Sequence, residues 1–312
     1  MRLPVRVRQG ARHERRRLRV VGGVVVRHVG FWEAHRKKDA EGSTEKYASA
    51  VYLTSMKGAV VDVDGTVLRG ETAIEGALEG IDALRDAGVR VVFFSNNPTM
   101  TSDALARRLK RAGVSLGDST AFTSASLTAR YIAENCASPA HVTGEEAVVE
   151  ALENVGVDIT DAPQEARTSV VSVDRRLRYD DIRDGYVAAT NAEHYVCTDP
   201  DAVVPASDGY IPGSGAVEAA VSRAAGRQPV VVGKPSEVAA ETVLDALGTP
   251  ADETVFVGDR LDTDIALGRS VGAKTAVALT GVTTGDDLHV SENDGHRPDH
   301  VLDTFADVRD LL

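Results

Sequence analysis

Residues 56–70, MKGAVVDVDGTVLRG, decide how the rest of the chain is read. The apolar run in this stretch reads as a strand buried on both faces. It ends in two aspartates, Asp62 and Asp64, just before Gly65. Carboxylates crowded at the end of an apolar strand repel one another and resist burial, so the pair calls for a compensating cation. In an extended segment residues i and i+2 point the same way, which predicts that Asp62 and Asp64 reach one pocket.

Outward from this stretch, short apolar runs alternate with amphipathic ones. EGALEGIDALRDAG (75–88) predicts a helix stopped by Gly88, VRVVFFSNN (89–97) a second strand, and TSDALARRLKRAG (101–113) a helix capped at Thr101 or Ser102. Near the C-terminus the rhythm returns. QPVVVGK (228–234), TVFVGD (254–259) and KTAVALTG (274–281) read as strands, separated by helices in SEVAAETVLDALG (236–248) and DTDIALGRSVG (262–272). Continuous apolar strands between helices imply an α/β fold: a Rossmann-like parallel sheet with helices on both faces, which binds ligands beyond the carboxyl ends of its strands.

At that edge the strands supply Asp62 and Asp64, then Ser95, Asn96 and Asn97, then Lys234, then Asp259. Carboxylates with a hydroxyl and one ammonium describe a site for a divalent cation and an anion. Mg2+ is the expected ion, because the motifs offer oxygen and neither histidine nor cysteine. Ser95 and Lys234 suit a phosphoryl group. Phosphate-monoester hydrolysis needs up to roughly 10²¹-fold acceleration. A carboxylate nucleophile, with a metal and a lysine neutralising the phosphoryl oxygens, meets that demand.

The 312 residues, 43% hydrophobic and 26% charged, suit one large globular unit or a core with an insert. No apolar run reaches the roughly 18 residues of a membrane span, so no membrane partner is expected. Cys136 and Cys197 lack a CxxC or Cys/His cluster and read as packing residues in a reducing cytoplasm. Residues 1–55 carry a net +8 and 56–312 a net −20, with Lys57, Lys110, Lys234 and Lys274 the only lysines of the second part. Such a carboxylate-rich, lysine-poor body suits a halophilic cytoplasmic protein and argues against nucleic acid as a partner. The arginine-rich 1–55 reads as a disordered tail or as sequence upstream of a start at Met56.

The set DVDGT (62–66), SNN (95–97), GKP (233–235) and GDRLDTD (258–264) resembles, in order, the four motifs of the haloacid dehalogenase superfamily. The likeness is to its phosphatase branch with a type IIA cap, the NagD-like, p-nitrophenyl phosphatase-like and phosphoglycolate phosphatase-like group. The resemblance covers residues 56 to 312. It implies that Asp62 is the nucleophile and a Mg2+ ligand, and that Asp64 is the general acid and base and a ligand through its carbonyl. It further implies that Ser95, Asn96 and Lys234 bind the phosphoryl group, and that Asp259 and Asp264 serve the metal. A catalytic core of 56–137 and 229–312 is then expected, with an inserted α/β cap at 138–228. Within that cap AHVTG, TSVVSVD and HYVCTDPD read as strands, and 145–156 and 179–191 as helices.

Asp199 stands where this group commonly has asparagine, which reads as another acidic halophilic substitution and leaves the amide's role in the group without a counterpart here. Asn97, Val203 and Val204 are expected to face the substrate, and the two valines offer no charged handle to its leaving group. Dimerisation through the cap rests on the resemblance alone. The expected function is Mg2+-dependent hydrolysis of small phosphorylated metabolites. A non-catalytic phosphometabolite-binding protein or a phosphotransferase on the same scaffold is the alternative.

Overall fold

A computed structural model describes residues 56–206, 209–290 and 296–312; the expectations for residues 1–55 lie outside it. The chain enters through β1 (Gly58–Asp62), every residue of which is buried. It turns through a small antiparallel flap, β2 (Leu68–Arg69) and β3 (Thr72–Ala73), and returns in β4 (Arg90–Ser95) and β5 (Thr120–Thr123). A second sheet follows with β6 (Ala140–Thr143), β7 (Thr168–Val171) and β8 (His194–Cys197), then a hairpin of β9 (Val203–Ala206) and β10 (Gly209–Pro212), and then β11 (Val230–Val231). The chain re-enters the first sheet in β12 (Thr254–Gly258), β13 (Lys274–Ala278) and β14 (His300–Leu302).

The first sheet has the order β14-β13-β12-β1-β4-β5, with every pairing parallel. β1 lies between β4 and β12, with Val61 opposite both Phe93 and Val257. The apolar runs are continuous because both faces are covered. Val61, Phe93 and Val257 join Leu84, Leu105 and Phe305 on one side, while Val60, Phe94 and Phe256 join Val243, Leu247 and Leu127 on the other. Burying each such side chain contributes roughly 1.5–3 kcal/mol. From β1 the chain winds first toward β5 and later, through β12, toward β14. The strand order therefore reverses beside β1, and a crevice opens at the carboxyl ends of β1 and β12.

The expected helices appear at Ala77–Asp86, Ser102–Arg111 and Glu237–Leu247, the second capped by Thr101 and the third by Ser236. One strand is placed differently from its sequence reading. Val230–Val231 pairs with β8, so QPVVVGK contributes an edge to the second sheet, ordered β11-β8-β7-β6, rather than a strand to the first. Lys234 therefore arrives from the loop that crosses between sheets. Asn96 pins that loop: its Oδ1 accepts the Lys234 N–H at 2.8 Å and its Nδ2 donates to the Lys234 carbonyl at 3.2 Å.

Candidate active site

Asp62 ends β1 with its side chain on the Val60 face, 7% exposed. Lys234 Nζ donates to Asp62 Oδ1 at 2.5 Å, to Asp264 Oδ1 at 2.7 Å and to the Phe94 carbonyl at 3.1 Å, which uses all three ammonium hydrogens. Asp259 follows β12, where the Val282 N–H donates to its Oδ2 at 2.6 Å. A Cβ on Gly65 or Gly281 would collide with the Asp259 carboxylate, and Gly65 also has φ +94°, so both positions require glycine. Asp264 sits in the wide helical turn Leu261–Ile265, where the Arg260 N–H donates to its Oδ2 at 3.1 Å.

Oxygens of Asp62, Asp259 and Asp264 lie within 4.8 Å of one another, all three residues buried. Burial raises the Asp62 carboxyl well above the usual range; Lys234 opposes the shift, while Asp264 and Asp259 add to it. Burial, reinforced by Asp264, pushes Asp259 up to about 6. Burial alone would lower the Lys234 ammonium, but Asp264 and Asp62 outweigh it and hold its pKa above the usual value. Three carboxylates against one ammonium leave a deficit of two positive charges. Asp62 Oδ2 is buried with no hydrogen-bond partner. An orphaned carboxylate oxygen, a two-charge deficit and an all-oxygen donor set fit a hard divalent cation such as Mg2+.

The strand stops at Asp62, and Asp64, just before the turn at Gly65, is not one of the three clustered carboxylates. Asp64 Oδ2 instead accepts the Ser95 hydroxyl at 3.0 Å, and its Oδ1 accepts Arg108 Nη2 at 2.6 Å. Ser95 thus spends its proton on Asp64 while its oxygen accepts the Asn97 N–H at 3.2 Å. The Asn96 side chain braces Lys234 and reaches Asp201 Oδ2 at 3.1 Å, so it is a strut rather than an open phosphate donor. Asn97 Oδ1 accepts the N–H and hydroxyl of Thr99 and shapes its own loop.

Over this edge, Asp201 Oδ1 lies 3.4 Å from Arg260 Nη1, and Arg260 also pairs with Asp262 at 2.9 Å. Val203, 52% exposed, lines a 380 Å³ cavity with Pro200, Asp201, Pro235, Arg260 and Asp262. Val204, which pairs with Ile211 in the hairpin, does not line it. The valines give no charge, while the neighbours Asp201, Arg260 and Asp262 give three. Asp199 is 1% exposed and accepts Ser214 Oγ at 2.7 Å and Thr198 Oγ1 at 3.0 Å, so it is an interior carboxyl. Burial pushes it up to about 7.

Residues 59–158 match the family described as haloacid dehalogenase-like hydrolase, and residues 231–308 match the one described as HAD-hydrolase-like. The sugar-phosphatase AraL of Bacillus subtilis is 34% identical over 82% of this chain and 93% of its own length. The chain belongs to the haloacid dehalogenase-like hydrolases. Ribonucleotide monophosphatase NagD of Escherichia coli is 31% identical over 81% of this hydrolase and 98% of its own length. The structure of p-nitrophenyl phosphatase from Archaeoglobus fulgidus superposes with a TM-score of 0.78 at 36% identity, covering 83% of this chain and all of that one.

Sequence reasoning missed two arginines of this hydrolase. Arg108 had a legible signal: between exposed Arg107 and Arg111, it falls on the apolar stripe of its helix with Leu105 and Leu109. Arg260 lies inside the quoted GDRLDTD motif, but nothing local distinguishes it from a loop charge.

Proposed function

We propose that this protein is a Mg2+-dependent phosphatase that hydrolyses small phosphorylated metabolites through a phosphoryl group carried on Asp62. The observation that carries the reading is the buried Asp62–Lys234 pair with one unpartnered oxygen on Asp62. The two oxygens divide the work: the one held by Lys234 can attack while the unpartnered one faces the cation. Asp62, Asp259 and Asp264 would hold Mg2+, which when bound supplies the positive charge that shields nucleophile and phosphoryl group from mutual repulsion.

In the first step an Asp62 oxygen bonds to phosphorus and the ester P–O bond breaks, while Asp64 gives its proton to the leaving oxygen. In the second, Asp64 takes a proton from water, whose oxygen bonds to phosphorus. The Asp62–phosphorus bond breaks and inorganic phosphate leaves. Lys234 balances charge beside Asp62 throughout. Ser95, adjacent to Asp64, can turn its hydroxyl to a phosphoryl oxygen.

The second sheet, through about residue 231, acts as the cap, with Asp201, Val203 and Arg260 around the leaving group. A closed cap excludes water and selects the alcohol. The acidic body is suited to the cytoplasm of a salt-accumulating cell. Hydrolysis of p-nitrophenyl phosphate with Mg2+ in molar KCl tests the reading. Turnover that is lost in Asp62→Asn is expected, and a folded wild type without turnover contradicts it.

A further inference from the structure

Among the acidic residues of the proposed machinery, Asp64 alone is open to solvent, its side chain 46% exposed, and yet its carboxylate is gripped on both oxygens. One grip is Ser95 Oγ on Oδ2 at 3.0 Å. The other is Arg108, a 7% exposed guanidinium whose Nη2 reaches Oδ1 at 2.6 Å. The same guanidinium donates to the Gly70 carbonyl through Nη2 at 2.5 Å and Nε at 3.1 Å, at the tip of the β2–β3 flap. One planar fork thus ties together the helix Ser102–Arg111, the flap and Asp64.

The Gly70 bonds alone suffice to join helix to flap. Only the carboxylate of the pair is open to solvent, 46% exposed against 8% for the Arg108 side chain, so the bond contributes less stability than a fully buried pair. It does remove the rotation that a surface carboxylate otherwise has, and group placement to within an ångström governs rate. A guanidinium also has donors only. Arg108 therefore holds Oδ1 as an acceptor, with Oδ2 on the Ser95 side.

We propose that Arg108 is the positioning residue for Asp64: it fixes the carboxylate against the flap in the orientation from which it serves the leaving oxygen. The proposal rests on the phosphatase reading above. Its consequence is specific to the leaving group. Phenyl phosphate releases a more basic phenolate than p-nitrophenyl phosphate and depends more on a well-placed acid.

The test is kcat/KM for both esters in wild type, Arg108→Met, Arg108→Lys and Asp64→Asn, with thermal melts of each. Arg108→Met is expected to lose at least about 30-fold on phenyl phosphate and no more than about 3-fold on p-nitrophenyl phosphate, within the range of general acid catalysis. Arg108→Lys, which keeps the charge without the fork, is expected to regain part of the loss. Asp64→Asn should show the same bias more strongly. Equal losses on the two esters, or no loss, overturn the proposal and leave Arg108 as scaffolding. If Arg108→Met does not fold, Arg108→Lys decides by the same bias. Failure of the phosphatase reading looks different: wild type then hydrolyses neither ester, or Asp62→Asn remains active, and the Arg108 proposal falls with it.

Discussion

Lys234 Nζ stands 2.5 Å from Asp62 Oδ1, a fully buried ion pair joining a cross-sheet loop to the end of the central strand. Its second carboxylate, Asp264 at 2.7 Å, makes the lysine a bridge between two anions that would otherwise repel. Removing one partner of a buried pair leaves an uncompensated charge and typically destabilises by about 3–5 kcal/mol. Lys234→Met is therefore expected to lower the denaturant midpoint markedly and to reduce kcat at least about 100-fold. A variant with wild-type stability would show that the pair is not held as described.

The carboxylate cluster predicts a metal effect that reads out without turnover. Mg2+ binding only to the folded state should raise Tm, by the equivalent of about 2.7 kcal/mol at 100 times its Kd. Asp259→Asn removes one of the three clustered carboxylates and should weaken that shift. Chelation should abolish hydrolysis reversibly. A Tm indifferent to Mg2+ counts against the site.

Asp199 predicts a pH dependence of stability. Its folded pKa of about 7 lies above the ordinary 3.8, so the folded state holds the proton more tightly than the unfolded chain does. Stability from this residue is full below the ordinary value and is lost as pH rises through about 7. Asp199→Asn keeps the shape and loses the charge. It is expected to gain on wild type progressively across that window, by up to roughly 4 kcal/mol above it. Parallel stability–pH curves for the two proteins would show that the carboxyl is not held protonated.

The net charge of −20 over residues 56–312 predicts that salt stabilises the fold. At about 1 M KCl the Debye length is about 3 Å, short enough to screen neighbouring surface carboxylates. Tm is expected to rise steadily from low salt to that concentration, and a flat or falling curve would contradict the reading of the surface.

Much of this was legible in the sequence, for reasons that differ by residue. Asp62 and Asp259 could be located because each ends an apolar run long enough to be buried on both faces. Lys234 could be named but not placed. Whether the two residues Val230–Val231 extend one sheet or the other depends on β8, which lies some thirty residues earlier. Asp64 could be named, but its partner Arg108 lies on a helix 44 positions away and its bond could not be foreseen. The burial of Asp199 was not legible, because composition describes the chain as a whole and not one interior position.

The central claim is that Asp62 carries the phosphoryl group. An acyl phosphate is reduced by borohydride to an alcohol, so quenching the enzyme during turnover of p-nitrophenyl phosphate with Mg2+ and reducing it should convert Asp62 to homoserine, identified by peptide mass spectrometry. The account predicts this conversion at position 62, dependent on substrate and absent from Asp62→Asn. Sustained hydrolysis with Asp62 unmodified, or with the mark on another residue, would contradict it.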